Sequence, residues 1–130
     1  MARRFLLDTH VVIDLGTPGA FESMPRKVRQ IIEHPDFDLL LSVVSAAEIA
    51  IKNGIGKLAI EREDLDLICT NASITLYPLQ PQHSAKLFGL PLHHKDPFDR
   101  LIIATALSDD LPVISIDGDF RKYKGLKVIW

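Results

Sequence analysis

The stretch Phe37-Asp38-Leu39-Leu40-Leu41-Ser42 runs into Val43-Val44-Ser45-Ala46-Ala47-Glu48-Ile49-Ala50-Ile51-Lys52-Asn53 and changes character midway. Residues 37–41 are apolar almost without interruption, whereas a strand with one wet face would alternate. Such a strand needs cover on both faces, the condition of a parallel sheet enclosed by helices. From Ser45 to about Asn53 the chain reads as a helix. The unit is therefore a strand followed by a helix.

The same unit recurs in both directions. Phe5-Leu6-Leu7, Ile74 to Leu76 and Val113 to Ile116 read as buried strands, with Lys127 to Ile129 as a fifth. Val28, Ile31 and Ile32 after Pro25 form an i, i+3, i+4 stripe, and so do Leu65, Ile68, Cys69 and Ala72 after the acidic cluster Glu61 to Asp66. Acids at the start of that second helix suit the positive end of its dipole. A further helix is expected from Pro97 to about Ser108. Alternation of this kind predicts a three-layer α/β domain with a mainly parallel central sheet flanked by helices. No linker, repeat or low-complexity segment divides residues 1–130, which read as one domain; Gly16 to Gly19 and Gly54 to Gly56 read as turns or helix ends.

The bulk numbers agree. A chain of 130 residues can bury roughly two-thirds of its unfolded surface, and 47% hydrophobic with 25% charged residues excludes a disordered or collagen-like chain. With 15 basic and 17 acidic side chains the net charge is −2, so any contact with nucleic acid must be made by a local basic patch. Arg3 and Arg4 precede only Phe5-Leu6-Leu7, too short for a signal-peptide core or a membrane span, so a cytoplasmic protein is expected. Cys69 is the only cysteine, which excludes an internal disulfide and a multi-cysteine zinc site. Its place in a helical stripe argues for a small buried side chain.

In an open parallel sheet, ligands bind beyond the carboxyl ends of the strands. Asp8 directly follows Phe5-Leu6-Leu7, and Asp117 directly follows Val113 to Ile116. Glu48 is expected in the first turn of the helix after Leu41-Ser42, and Asp99 in the first turn of the helix leading to Val113. All four acids thus fall at one edge. Gathered carboxylates repel, and burial raises the cost, unless a cation holds them. Carboxylates with water suit the hard ions Mg2+ and Mn2+. Such a site can activate water for in-line displacement at a phosphodiester.

Each acid also has a structural reading. Ser45-Ala46-Ala47-Glu48 fits a capping box, with Lys52 one turn on as an ion-pair partner for Glu48. Asp96-Pro97-Phe98-Asp99 places an N-cap aspartate before a first-turn proline and a second acid; we assign Asp96 to the cap and Asp99 to the metal, the reverse assignment staying open. Asp117-Gly118-Asp119 fits a plain turn. Asp8 has the weakest structural excuse, a helix cap at best. The functional case rests on convergence.

These segments in order, Phe5-Leu6-Leu7-Asp8-Thr9-His10, Ser45 to Lys52, Asp96-Pro97-Phe98-Asp99-Arg100 running into Ile103-Ala104-Thr105-Ala106, and Ile114-Ser115-Ile116-Asp117-Gly118-Asp119-Phe120, resemble PIN-domain proteins, and especially the VapC toxins of bacterial toxin–antitoxin pairs. The resemblance spans almost the whole chain. It implies a Mg2+ or Mn2+ site that cleaves RNA, with Asp8, Glu48, Asp99 and Asp117 as catalytic and metal-holding residues. Ser115 stands where the family usually has threonine, and Thr9 matches the small hydroxyl residue after the first acid; both would orient carboxylates or water. Asp119 matches a further acid often present. The resemblance also implies a small antitoxin protein lying across apolar grooves, and a homodimer; Ile55 and Leu58 are apolar residues available for such surfaces.

RNA phosphates need basic groups near the acids. Arg100, Lys52 and the cluster Arg121, Lys122, Lys124 and Lys127 are the candidates, Arg100 having the best position and, equally, acids to pair with. Tyr123 reads as packing over the sheet edge ahead of stacking on a base. His93-His94 reads as a loop pair, poorly set for a metal. Three other readings compete: a PIN nuclease of RNA processing, a non-catalytic PIN-like binding module, and a phosphoacceptor receiver domain. The last needs a lysine after a late strand, where Asp117 stands instead.

Overall fold

The computed structural model describes residues 2–130. Its strands are β1 (Arg4–Leu7), β2 (Asp38–Ser42), β3 (Ile74–Tyr77), β4 (Val113–Ile114) and β5 (Val128–Ile129), and its helices α1 (Thr9–Leu15), α2 (Arg26–Glu33), α3 (Val43–Gly54), α4 (Arg62–Asn71), α5 (Pro81–Ala85) and α6 (Pro97–Asp109). The five strands form one sheet in the order β3-β2-β1-β4-β5, and every pairing is parallel. Strands β2 and β3 step outward on one side of β1, and β4 returns to its other side. The order therefore reverses between β1 and β4, which is where an open α/β sheet parts its loops and leaves a crevice.

Side-chain alternation explains the unbroken apolar runs. Phe5, Leu7, Leu39 and Leu41 point to one face, where they meet Val11, Val12 and Val28 of α1 and α2, with Leu65 and Ile68 of α4 packed behind. Leu6, Leu40 and Val113 point to the other face, against Ile102, Ile103 and Ala106 of α6 and against Phe120. With helices on both sides, the middles of β1 and β2 are apolar throughout, and their polar residues Arg4, Asp38 and Ser42 fall at strand ends. Three layers result, as the apolar runs predict. Cys69 is half-buried among the residues packed on the first core, and burial raises its thiol pKa, as does Asp66, so it is an inert filler.

Three boundaries differ from expectation. Helix α3 starts at Val43, ahead of Ser45, because the hydroxyl of Ser42 accepts the Val44 N–H at 3.0 Å and supplies the cap. The capping box at Ser45 and the first-turn position of Glu48 are thereby both corrected: Glu48 lies in the second turn. Strand β4 ends at Ile114, short of Ile116, because its outer neighbour β5 is only two residues long. Helices α1 and α5, seven and five residues long, are too short to show a stripe and were not expected.

Away from the crevice, fully buried His83 is wired to Asp109 at the end of α6: its Nε2 lies 2.7 Å from Asp109 Oδ2, which also accepts the hydroxyl of Tyr77. His83 Nδ1 accepts the Gln80 N–H at 2.9 Å. This network ties β3, α5 and α6 together.

Candidate functional site

Asp8 sits where β1 gives way to α1, at the crevice, and its N–H bonds Ile114 O at 3.0 Å, which locks β1 to β4. Its carboxylate makes no cap hydrogen bond and is 1% exposed. Oδ2 accepts the hydroxyl of buried Ser115 at 2.7 Å, while Oδ1 is buried with no hydrogen-bond partner. Burial raises the Asp8 pKa, outweighing the Ser115 bond, nearby His10 and the Thr9 amide, and Asp117 pushes it further in the same direction.

Glu48 shows the same half-satisfied state. Its Oε2 receives Lys52 Nζ at 2.6 Å, one helical turn on, and its Oε1 is buried and unpartnered. Below it, Thr9 Oγ1 donates to Ser45 Oγ at 2.8 Å. Thr9 thus ties α1 to α3 through a hydroxyl that donates to Ser45, next to the acids, where the resemblance implies a group that orients carboxylates or water.

Asp96 caps α6, accepting the N–H groups of Phe98 at 2.8 Å and Asp99 at 3.2 Å. Asp99, one turn in, is left for the crevice. Its pKa is pushed up to about 7 by burial, then by the charges of Asp8 and Asp96, with His94 opposing and Glu48 adding. Asp99 thus stands within the fields of three other acids at this edge, Asp8, Asp96 and Glu48. Asp117 has one oxygen, Oδ1, on the Asp119 N–H at 2.9 Å and the other, Oδ2, 2.8 Å from His94 Nε2. Asp119 lies at the rim, where Lys122 at 2.7 Å lowers its pKa.

Two residues make contacts that the sequence did not settle. His94, read as a loop residue poorly set for a metal, points its ring into the acids, with Nε2 2.8 Å from Asp117 Oδ2 and 3.1 Å from Asp99 Oδ2. Nitrogen and carboxylate oxygens of His94, Asp117 and Asp119 lie within 4.8 Å of one another. The signal in the sequence was its closeness to the Asp96 cap. Arg100, the favoured phosphate binder, faces backwards: Nη1 donates to Pro91 O at 3.0 Å and His94 O at 3.2 Å, and Nη2 to Leu90 O at 3.2 Å. Its guanidinium is committed to the preceding loop, and it pairs with no acid. Tyr123 is buried and its hydroxyl accepts the His94 N–H at 2.9 Å, in keeping with a packing role.

The family model of the PIN domain matches residues 5–126. The chain belongs to the PIN-domain family. Among solved structures, VapBC2 from Rickettsia felis bound to a promoter DNA fragment is similar at a TM-score of 0.71 and 12% identity, covering 97% of each chain. DNA-bound VapBC from Salmonella typhimurium follows at 0.70 and 18%, covering 99% of this chain and 98% of that one. FitAcB from Neisseria gonorrhoeae gives 0.60 and 18%, with 97% and 96% covered. At these identities the likeness is one of fold. No curated protein is matched by the sequence.

PIN domains are generally nucleases and typically use divalent metals. The residues of this PIN domain fit such an ion on their own account. Leaving a buried carboxylate oxygen without a partner costs free energy, and here two, on Asp8 and Glu48, are left so in one acidic crevice. The donor set is carboxylate oxygen, which suits hard divalent ions.

Proposed function

We propose that the protein is a Mg2+- or Mn2+-dependent endoribonuclease that acts as the toxin of a toxin–antitoxin pair. The observation that carries the reading is the pair of buried, unpartnered oxygens Asp8 Oδ1 and Glu48 Oε1 in a PIN-domain crevice where Asp99 is pushed up to about 7. Asp8, Glu48, Asp99 and Asp117 would hold the ion. When bound, it supplies Lewis-acid activation of water and stabilises charge on the phosphoryl group. The chain's own part is to hold geometry: Ser115 fixes one oxygen of Asp8, Lys52 one oxygen of Glu48, and each leaves its partner's other oxygen free.

Lys52 and the surface cations Arg121, Lys122 and Lys124 are the groups available to RNA phosphates, and Asp119 draws Lys122 to the rim of the site. For the antitoxin, support comes from the solved VapBC assemblies of similar fold and from an open groove of about 1070 Å³. The groove is lined by Leu15, Phe21, Phe37, Leu58 and Ile68 among others, on the face opposite α6. Leu58 belongs to it, whereas Ile55 stands exposed elsewhere. A homodimer and a cytoplasmic location complete the proposal; no described helix is long and apolar enough to cross a membrane.

The test is cleavage of a mixed RNA pool by purified, antitoxin-free protein with Mg2+ or Mn2+, with excess chelator, and beside Asp8→Asn. Cleavage that needs both metal and Asp8 is expected. Folded protein that binds metal and cuts no RNA under any condition would favour a binding module instead. An adjacent small antitoxin reading frame is expected for a toxin, and its absence would favour a nuclease of RNA processing.

A further inference from the structure

We infer that His94 is a positioning residue of the acid centre, whose Nε2–H, donated to Asp117 and standing 3.1 Å from Asp99, holds both carboxylates in the orientation that receives the divalent cation. The inference rests on the metal-dependent reading above.

The wiring of the ring decides its role. The Asp96 N–H points at His94 Nδ1 from 3.2 Å, so that nitrogen is an acceptor and the neutral ring carries its proton on Nε2. A second proton would add at Nδ1 and leave the Nε2–H in place. In either charge state, then, Nε2 donates, and it lies 2.8 Å from Asp117 Oδ2 and 3.1 Å from Asp99 Oδ2. A metal ligand must offer a lone pair, and Nε2 offers none. His94 therefore acts on the cation's ligands and not on the cation.

The placement of the ring is built from three directions. Arg100 gathers the carbonyls of Leu90, Pro91 and His94, Tyr123 Oη accepts the His94 N–H, and the ring stands edge-on to Phe120 at 5.8 Å and 82°. Without this ring, Asp117 would be held through Oδ1 alone, by the Asp119 N–H, and Asp99 would face the charges of Asp8, Asp96 and Glu48 without the N–H that now stands 3.1 Å away. With it, each of the four acids has a group against it: Asp8 accepts from Ser115, Glu48 from Lys52 and Asp117 from His94, and the same ring nitrogen stands 3.1 Å from Asp99. Residues that hold metal ligands in this way are typically worth 10–100-fold in metal affinity.

Mn2+ titrated calorimetrically into the full chain tests this, using wild type, His94→Ala and His94→Gln, with melting curves to confirm folding. Glutamine carries an amide N–H that can stand near the ring Nε2. Expected are a roughly 10–100-fold weaker Mn2+ affinity in His94→Ala, recovery of most of it in His94→Gln, and no imidazole-nitrogen coupling of bound Mn2+ in pulsed EPR that depends on His94. Unchanged or tighter binding in His94→Ala, or His94→Gln binding as weakly as alanine, would overturn the inference. So would a His94-dependent nitrogen coupling, which would make the ring a ligand; this readout and the glutamine variant decide the matter if His94→Ala fails to fold. Wild type that binds no Mn2+ would overturn the nuclease reading as well, whereas wild-type binding with no effect at position 94 overturns this inference alone.

Discussion

Ser115 donates its hydroxyl to Asp8 Oδ2 across 2.7 Å although the two stand 107 positions apart in the chain. The same hydroxyl oxygen accepts the Asp117 N–H at 3.0 Å. One fully buried side chain thus joins the end of β1 to the turn beyond β4, on either side of the crevice. Removing it leaves a buried carboxylate oxygen and an amide without partners. Ser115→Ala should therefore lower the unfolding free energy by about 1–3 kcal/mol, measured by urea denaturation, and Ser115→Thr, which keeps the hydroxyl, should lose less. A loss for alanine below about 0.5 kcal/mol would mean that the bond positions Asp8 without stabilising the fold.

Asp99 makes the stability of the metal-free protein depend on pH in an unusual direction for a carboxylate. In the unfolded chain its pKa is the ordinary 3.8, and in the fold burial and the charges of Asp8 and Asp96 raise it to about 7. Between those values the native state holds a proton that the unfolded state has released, so stability falls as pH rises. The contribution is fully present below 3.8 and is lost through pH 7. Melting temperatures of the metal-free protein should drop from pH 5 to pH 8, and Asp99→Asn should flatten that slope. Because a cation must displace the same proton, Mn2+ affinity should strengthen over the same range. A wild-type slope indistinguishable from that of Asp99→Asn would remove Asp99 from this account.

The layers and the parallel sheet could be read ahead of the structure because doubly covered strands leave a local signature: Leu39, Leu40 and Leu41 are all apolar since successive residues face different cores. The placing of Asp8 and Asp117 at one edge was legible for a related reason, since the end of a parallel strand delivers its next residue there, and that of Asp99 because the helix leading back into β4 starts at the same edge. Short elements left no such trace, and α1 and α5 went unread. Capping was misread at Ser45 because Val43 and Val44 look like strand while Ser42 supplies the cap. The roles of His94 and Arg100 were hidden for a different reason. A side chain's type and position say what it can do, whereas which partner it takes is settled by the return of the chain through Phe120 and Tyr123.

Asp96 and Asp99 are three positions apart and chemically alike, and geometry separates their tasks. Asp96 accepts two N–H groups at the start of α6, so Asp96→Ala should cost roughly 0.5–2 kcal/mol, the usual loss for a helix cap. Mn2+ binding should persist in the folded variant, only modestly weakened. If Asp96→Asn abolished Mn2+ binding while leaving the melting temperature untouched, the two assignments would have to be exchanged.

Arg100 separates two accounts of how a basic residue serves an acidic centre. If it gripped an RNA phosphate, Arg100→Lys would keep the charge, and Arg100→Met would weaken RNA binding and lower its salt dependence by roughly one phosphate contact. The structure has the guanidinium spanning the carbonyls of Leu90, Pro91 and His94, a task that depends on its planar fork and that a lysine ammonium cannot reproduce. Both variants should therefore release the His94 loop, weaken Mn2+ binding in the direction of His94→Ala, and leave the salt slope of RNA binding unchanged. Because Arg100 would act through His94, combining either variant with His94→Ala should add little to the single effect, a non-additivity that a double-mutant cycle on Mn2+ affinity would read directly. Additive losses together with a shallower salt slope would return Arg100 to the RNA and leave the loop to be held by Tyr123 alone.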